Sequence, residues 1–235
     1  GNMLESIPGC LGKLPCLSEI RFQQNMLRAI PEELFRLGNK IRVLHLTNNK
    51  LSRIPSSIQH LTLLEDMRLG HNKLEMIPEE IGNCTNLVRL DVNDNKLKSL
   101  PKTMGSMTSL KRLNVSNNDI SDRLPKSLKN CSELRELLAS HNPRLTHIVD
   151  DFLVMTKLEW LDVSFCAIKS LDSTIGTLGS LQVLKLNDNQ LKSIPSSLGQ
   201  IDRNCTLIRL NLNGNDLDVV PTSIVKMIKE SKSIG

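Results

Sequence analysis

The stretch from Ile41 to Asn72 reads IRVLHLTNNKLSRIPSSIQHLTLLEDMRLGHN, and it states one phrase twice. IRVLHLTNN ends on Asn49 and LEDMRLGHN ends on Asn72, 23 residues later. In both, apolar residues stand eight, five and three positions before the asparagine. The last two alternate with polar residues, the mark of a short strand with one face buried. Each phrase is followed by a second one, KLSRIPSSI and KLEMIPEEI, with proline at a fixed place. Proline blocks a long helix there and favours a turn or extended start, so the return limb should be made of short helical, 3₁₀ or extended pieces.

Working outward, the same pattern covers nearly the whole chain. The anchors are Asn25, Asn49, Asn72, Asn95, Asn118, Asn142, Cys166, Asn189 and Asn215, with Asn2 supplying an earlier half copy. The gaps between them, counted from Asn2, are 23, 24, 23, 23, 23, 24, 24, 23 and 26 residues. One copy cannot bury its own apolar face, but stacked copies form a continuous core. The sixth and seventh copies are irregular: HNPRL inserts a residue after Asn142, and IVDDF and LDSTI lack the proline.

The LxxLxLxxNxLxxIPxxI phrase resembles the leucine-rich-repeat superfamily, and its 23-residue IP form is similar to the intracellular Ras-group type. The resemblance implies an α/β solenoid: a curved horseshoe with a concave parallel β-sheet and short helical, 3₁₀ or extended convex segments. It also implies that the anchor asparagines bond to backbone groups of neighbouring turns as a ladder. Cys166 departs from that pattern, and because a thiol is a weak donor and acceptor the ladder is expected to be weaker there. The expected organisation is a solenoid over residues 1–222, about nine full repeats plus an N-terminal half repeat, and a C-terminal capping helix and tail over 223–235. In that helix Ile224, Val225 and Ile228 recur at helical spacing with lysines opposite. The first copy begins inside a repeat, which points to further sequence upstream.

Residues six and four positions before each anchor alternate with the core leucines and so belong to the concave face. The first row reads Glu19, Val43, Asp66, Arg89, Arg112, Glu136, Trp160, Val183, Arg209; the second reads Arg21, His45, Arg68, Asp91, Asn114, Leu138, Asp162, Lys185, Asn211. Lateral neighbours about 4.8 Å apart should pair as Asp66–Arg89, Arg112–Glu136, Arg68–Asp91 and Asp162–Lys185. Trp160, the only tryptophan, and Leu138 should then form an apolar spot flanked by Glu136 and Asp162. His141 and Phe165, one position before their anchors, lie beside it, and Arg112 completes the candidate surface. Tryptophan is the residue most enriched where binding energy concentrates. A second candidate surface is the arginine-bearing N-terminal part of the face, around Arg21, His45, Arg68 and Arg89.

Composition bounds the remaining classes. The net charge is +5, and basic residues are interleaved with acids without an aromatic platform, which argues against nucleic acid. No apolar run approaches a membrane span, and no signal segment is visible. There is no phosphate-cradling glycine loop, no GxSxG, no HExxH and no zinc spacing, so neither catalysis, a metal nor a cofactor is expected. The six cysteines are scattered, and Cys84 and Cys131 fill slots held elsewhere by Leu61, Met107, Met155 and Leu178, as buried hydrophobes in a reducing compartment would. Four sequons, at Asn83, Asn114, Asn130 and Asn204, argue weakly against that compartment, and Asn114 stands mid-face. The expectation is a cytoplasmic protein–protein interaction scaffold that takes part in signalling. Its partner is a folded protein or peptide; small GTPases, phosphatases and kinases are the classes that the resemblance implies. The alternatives are a targeting region of a larger enzyme (a kinase, GTPase, cyclase, phosphatase or ubiquitin ligase) and an extracellular receptor ectodomain.

Overall fold

The computed structural model describes residues 2–36, 40–148, 154–204 and 207–225. Each copy contributes one three-residue strand to a parallel sheet, because three positions are all that the alternating phrase supplies before the chain turns. In chain order the strands are β1 (Glu19–Arg21), β2 (Val43–His45), β3 (Asp66–Arg68), β4 (Arg89–Asp91), β5 (Arg112–Asn114), β6 (Ser121–Arg123), β7 (Glu136–Leu138), β8 (Arg144–His147), β9 (Trp160–Asp162), β10 (Val183–Lys185) and β11 (Arg209–Asn211). Nine of them form one sheet in the order β1-β2-β3-β4-β5-β7-β9-β10-β11, the architecture of a curved solenoid. The strands pair in the register read from the sequence, with Leu44, Met67, Leu90, Leu113, Leu137, Leu161 and Leu184 aligned in one inward row.

That row is fully buried, as are the residues three positions before each anchor from Leu46 to Leu186. Mostly aliphatic side chains, together with Phe35, Cys84 and Cys131, form the core between sheet and return limb. At roughly 1.5–3 kcal/mol per buried aliphatic side chain, this stack holds the solenoid together.

Among the described residues, most copies run their return limb through one helical turn. Helix α1 spans Glu32–Arg36. Later copies use 3₁₀ turns, Ser56–His60, Glu79–Asn83, Lys102–Ser106 and Lys126–Asn130, each entered from a proline held in the extended region. In the seventh copy Asp172 stands where most copies have proline, and its carboxylate accepts from Thr174 N at 2.8 Å to cap the turn Ser173–Thr177. Successive turns pack closely enough that a β-carbon at Gly176 would lie 2.3 Å from the Ser197 carbonyl oxygen. Only glycine permits that approach.

The anchors form the expected ladder. The Asn118 side chain accepts from Leu97 N at 3.0 Å and donates to Val92 O and Val115 O, and every other asparagine anchor from Asn49 to Asn215 makes the same set. At Cys166 half of this survives. The thiol donates to Ala139 O at 3.4 Å and to Ser164 O at 3.5 Å. The side-chain acceptor is gone, and Leu145 N instead donates to the Asn142 carbonyl at 3.0 Å. The residue inserted in HNPRL makes that local bond possible, so the irregular sixth copy supplies what Cys166 does not.

A feature not anticipated is a second, two-stranded parallel sheet, β6 with β8, on the limb that leaves the anchors. It forms where the fifth and sixth copies each carry one extra residue, and the register shifts between Asp122 and Arg123. Thr146 Oγ1 ties the two strands by donating to Asp122 O at 2.8 Å. Residues 149–153, which include all of the IVDDF segment but Ile148, lie outside the described residues. At the C-terminus residues 222–225 are helical; Ile224 is buried and Val225 is exposed, while Ile228 lies outside the described residues.

Candidate functional site

The concave face carries the two sequence-derived rows side by side. Parallel register places Glu136, Trp160 and Val183 as direct neighbours, and Leu138, Asp162 and Lys185 beside them. Trp160, Leu138 and Val183 are half-buried, so their outward surfaces form an apolar strip across β7, β9 and β10. Lys185 Nζ stands 5.5 Å from the Trp160 ring centroid and 3.1 Å from Asp162 Oδ2. The indole Nε1 of Trp160 is buried without a hydrogen-bond partner, an uncommon state for a donor of that strength.

The acids flanking the strip are already engaged. Glu136 is bridged by Arg112. Asp162 accepts from Ser164 N at 3.1 Å and Ser164 Oγ at 2.7 Å in addition to Lys185. Asp162 is therefore a fixed support for the lysine beside Trp160, with little capacity left for a partner's donor. Val183 was placed in the first concave row but not in the candidate site, and the next row towards the anchors, Ser116, Ser140, Ser164 and Asn187, was not read from the sequence. Extending the same two-residue alternation by one step would have found that row, which borders the strip with hydroxyl and amide groups.

Two of the four expected ion pairs form, Arg112–Glu136 and Lys185–Asp162. The other two are corrected. Asp66 pairs with Arg68 on its own strand at 2.7 Å, and Arg89 pairs with Asp91 at 2.6 Å, in place of the lateral Asp66–Arg89 and Arg68–Asp91 pairs. Residues two apart on a strand share a face, and an arginine is long enough to fold back over that step. Asp91 then accepts a second arginine, Arg112, at 3.3 Å.

His45 is buried among these charges. An arginine can only donate, so the 2.8 Å contact from Arg21 Nη1 to His45 Nδ1 makes Nδ1 the acceptor. The ring proton is thereby placed on Nε2, which faces Asp66 Oδ2 at 3.1 Å. Burial pushes the His45 pKa below the usual histidine value, against the opposing pull of Asp66. For Asp66, burial resists ionisation, but Arg68 and His45 outweigh it and hold the carboxyl below the usual range. Arg21, His45, Arg68 and Arg89 thus belong to a self-neutralised lattice.

One position before each anchor the backbone turns left-handed, at Gln24, Asn48, His71, Asp94, Asn117, His141, Phe165, Asp188 and Gly214. Asparagine, aspartate, histidine and glycine tolerate that conformation; phenylalanine does so poorly. Phe165 nonetheless adopts φ +55° and is 46% exposed. Its ring stacks on His141 with centroids 4.4 Å apart and planes 23° from parallel. The structure thus brings the sequence-predicted pair His141 and Phe165 into direct contact on the rim of the concave face.

The cysteines behave as hydrophobes where they are buried. The thiols of Cys84 and Cys131 donate to Ile58 O and Met104 O, and burial pushes the pKa of each up to about 12. Cys166 is raised to about 11, chiefly by burial. None is a thiolate at neutral pH, so none is a ready nucleophile. Among the described residues no group of three metal-ligating side chains lies together, and no helix is long and apolar enough to cross a membrane.

Comparison with known proteins agrees with this geometry. A family pattern described as a leucine-rich repeat region matches residues 32–156, and a second, a leucine-rich repeat, matches residues 180–201. No curated protein matches the sequence. Among solved structures, a TDR receptor is 24% identical with a TM-score of 0.77, over 92% of this chain and 40% of that one. The functional domain of InlJ from Listeria monocytogenes, which includes a cysteine ladder, is 23% identical with a TM-score of 0.63, over 91% of this chain and 47% of its own. A leucine-rich-repeat protein of Leptospira interrogans is 24% identical with a TM-score of 0.54, over 97% of this chain and 74% of that one. These likenesses concern the fold, and the chain spans less than half of the TDR receptor and InlJ chains.

Proposed function

The chain belongs to the leucine-rich-repeat family, and from that premise we propose that its concave sheet recognises a protein partner through the strip formed by Leu138, Trp160 and Val183. Solenoids of this kind use their concave surfaces for binding. The observation that carries the reading is the contrast across the face. From β1 to β5 the outward charges neutralise one another, whereas β7, β9 and β10 present the sole tryptophan and two aliphatic side chains to solvent. An aromatic anchor with polar and charged surroundings is the usual arrangement of a binding hot spot. The role is non-catalytic binding, with no cofactor. The expected setting is intracellular and reducing, a reading supported by the scattered cysteines and by Cys84 and Cys131 filling buried hydrophobic slots. Small GTPases, phosphatases and kinases, the classes implied by resemblance, are the first partners to test.

The test is affinity capture from cell lysate with wild type and Trp160→Ala in parallel, with matched melting curves. Proteins lost only with the folded variant would identify the partner and place its footprint on β7, β9 and β10. An unchanged set of captured proteins would overturn the reading.

A further inference from the structure

The limb that leaves the anchors carries charge of a kind that the rest of the molecule cancels. In three successive copies it reads KLSR (50–53), KLEM (73–76) and KLKS (96–99), five cations against the single carboxylate of Glu75. That surplus of four compares with a net charge of +5 for the whole chain. One backbone bond repeats at 2.8 Å, Lys50 N to Leu27 O, Lys73 N to Leu51 O and Lys96 N to Leu74 O, so the three lysines hold the same place in successive copies. Strand spacing sets them at intervals of about 5 Å. Leu51, Leu74 and Leu97 are fully buried, and on an extended limb the residues on either side of them share the outward face. Arg53, Lys73, Lys96 and Lys98 are exposed and Lys50 is half-buried. Among the described residues, none of these five cations makes an ion pair or a side-chain hydrogen bond, and neither does Glu75. Cations elsewhere are matched. The flank before the strands pairs Arg42 with Glu65 and Arg135 with Glu159, and the arginines of β1, β3, β4 and β5 pair with acids of the concave face.

We infer that this flank is a second docking surface, separate from the concave strip, and that it takes an acidic segment of a protein partner. A row of like charges about 5 Å apart repels itself and gains from a counter-charge laid along it. The other residues of the flank select the kind of polyanion. Glu75 stands two residues from Lys73 on the same face, and the adjoining Met76 is exposed. A nucleic-acid backbone or a layer of lipid headgroups sets like charge against Glu75 and polar groups against Met76. A polypeptide can interleave its carboxylates with an apolar side chain at that point. Acids three or four residues apart on a helix stand about 5–6 Å from one another, close to the spacing of the lysine row. The flexible lysine stems absorb the remaining mismatch.

The probe is a fluorescein-labelled peptide of repeating Glu-Glu-Leu-Glu units, titrated with the protein and followed by fluorescence anisotropy. The comparisons are the same peptide with glutamine for every glutamate, an oligothymidylate, and phosphatidylcholine–phosphatidylserine vesicles. The expected result is saturable binding that is tightest for the glutamate peptide and weakens as salt rises. Lys73→Gln combined with Lys96→Gln should weaken it about fivefold or more. Lys169→Gln combined with Lys192→Gln makes an equal change of net charge on the same limb of later copies, and should leave binding within about twofold. Absence of saturable binding, equal binding of the glutamine peptide, equal loss in the two double variants, or tighter binding of the oligothymidylate or the vesicles would overturn the proposal. Trp160→Ala should leave this binding unchanged while it abolishes the lysate capture, so the two surfaces are tested separately.

Discussion

Phe165 stacks on His141 at 4.4 Å between ring centroids while its own backbone is held at φ +55°. A bulky side chain in the left-handed region costs roughly 1–2 kcal/mol, and asparagine relieves much of that cost. Replacing a large side chain usually destabilises. Here Phe165→Asn should leave the chemical-denaturation midpoint equal to or above that of wild type. A clear loss of stability would mean that the stack is structural.

The anchor ladder predicts an ordering of substitutions. Asn142→Ala strips partners from Ile120 N, Val115 O and Ala139 O in a fully buried position, and should cost about 3 kcal/mol. Cys166→Ala removes two weak thiol bonds, and Leu145 N is already satisfied by Asn142 O, so its cost should be nearer 1 kcal/mol. Urea titrations of the two variants would check the ordering, and equal costs would contradict it.

On the convex side, Gly176→Ala should be destabilising although alanine is the better helix former. Its β-carbon would meet the Ser197 carbonyl oxygen at 2.3 Å, and separating two stacked turns should cost about 1–3 kcal/mol. Thermal melts would show a lowered midpoint; an unchanged one would mean that the turns slide apart freely.

His45 gives the fold a pH dependence. Its folded pKa lies below the ordinary value of 6.5, so between those two values the unfolded chain binds more protons than the folded one. Stability from this residue is therefore fully present above pH 6.5 and falls as pH drops below it, levelling out below the folded pKa. Protonation would also turn Nδ1 from acceptor to donor against Arg21. Urea midpoints measured from pH 7.5 to 5 should decline more steeply for wild type than for His45→Gln.

The repeat was legible because it rests on identities at fixed spacing. Each anchor, each inward leucine and the outward placing of Trp160 and Leu138 follow from a two-residue alternation locked to a gap of 23 or 24 residues over most of the chain. The same alternation made His141 and Phe165 neighbours in one row. The ion pairs were half legible: register says which residues are near, but an arginine with neighbours on both its own strand and the next is free to take either. Asp66 and Arg89 chose the partner two residues along.

The sequence by itself determined the solenoid, its register and the residues available on the concave face, since burial of a periodic apolar pattern admits one arrangement. Tertiary structure decided what those residues do with one another. It brought β6 and β8 together, moved the missing anchor bond from Cys166 to Asn142, buried the Trp160 N–H, and stacked an exposed Phe165 on His141. Each of these depends on rotamers, left-handed turns and single inserted residues, whose energies of about 1–2 kcal/mol are set by packing between copies and leave no periodic mark in the chain.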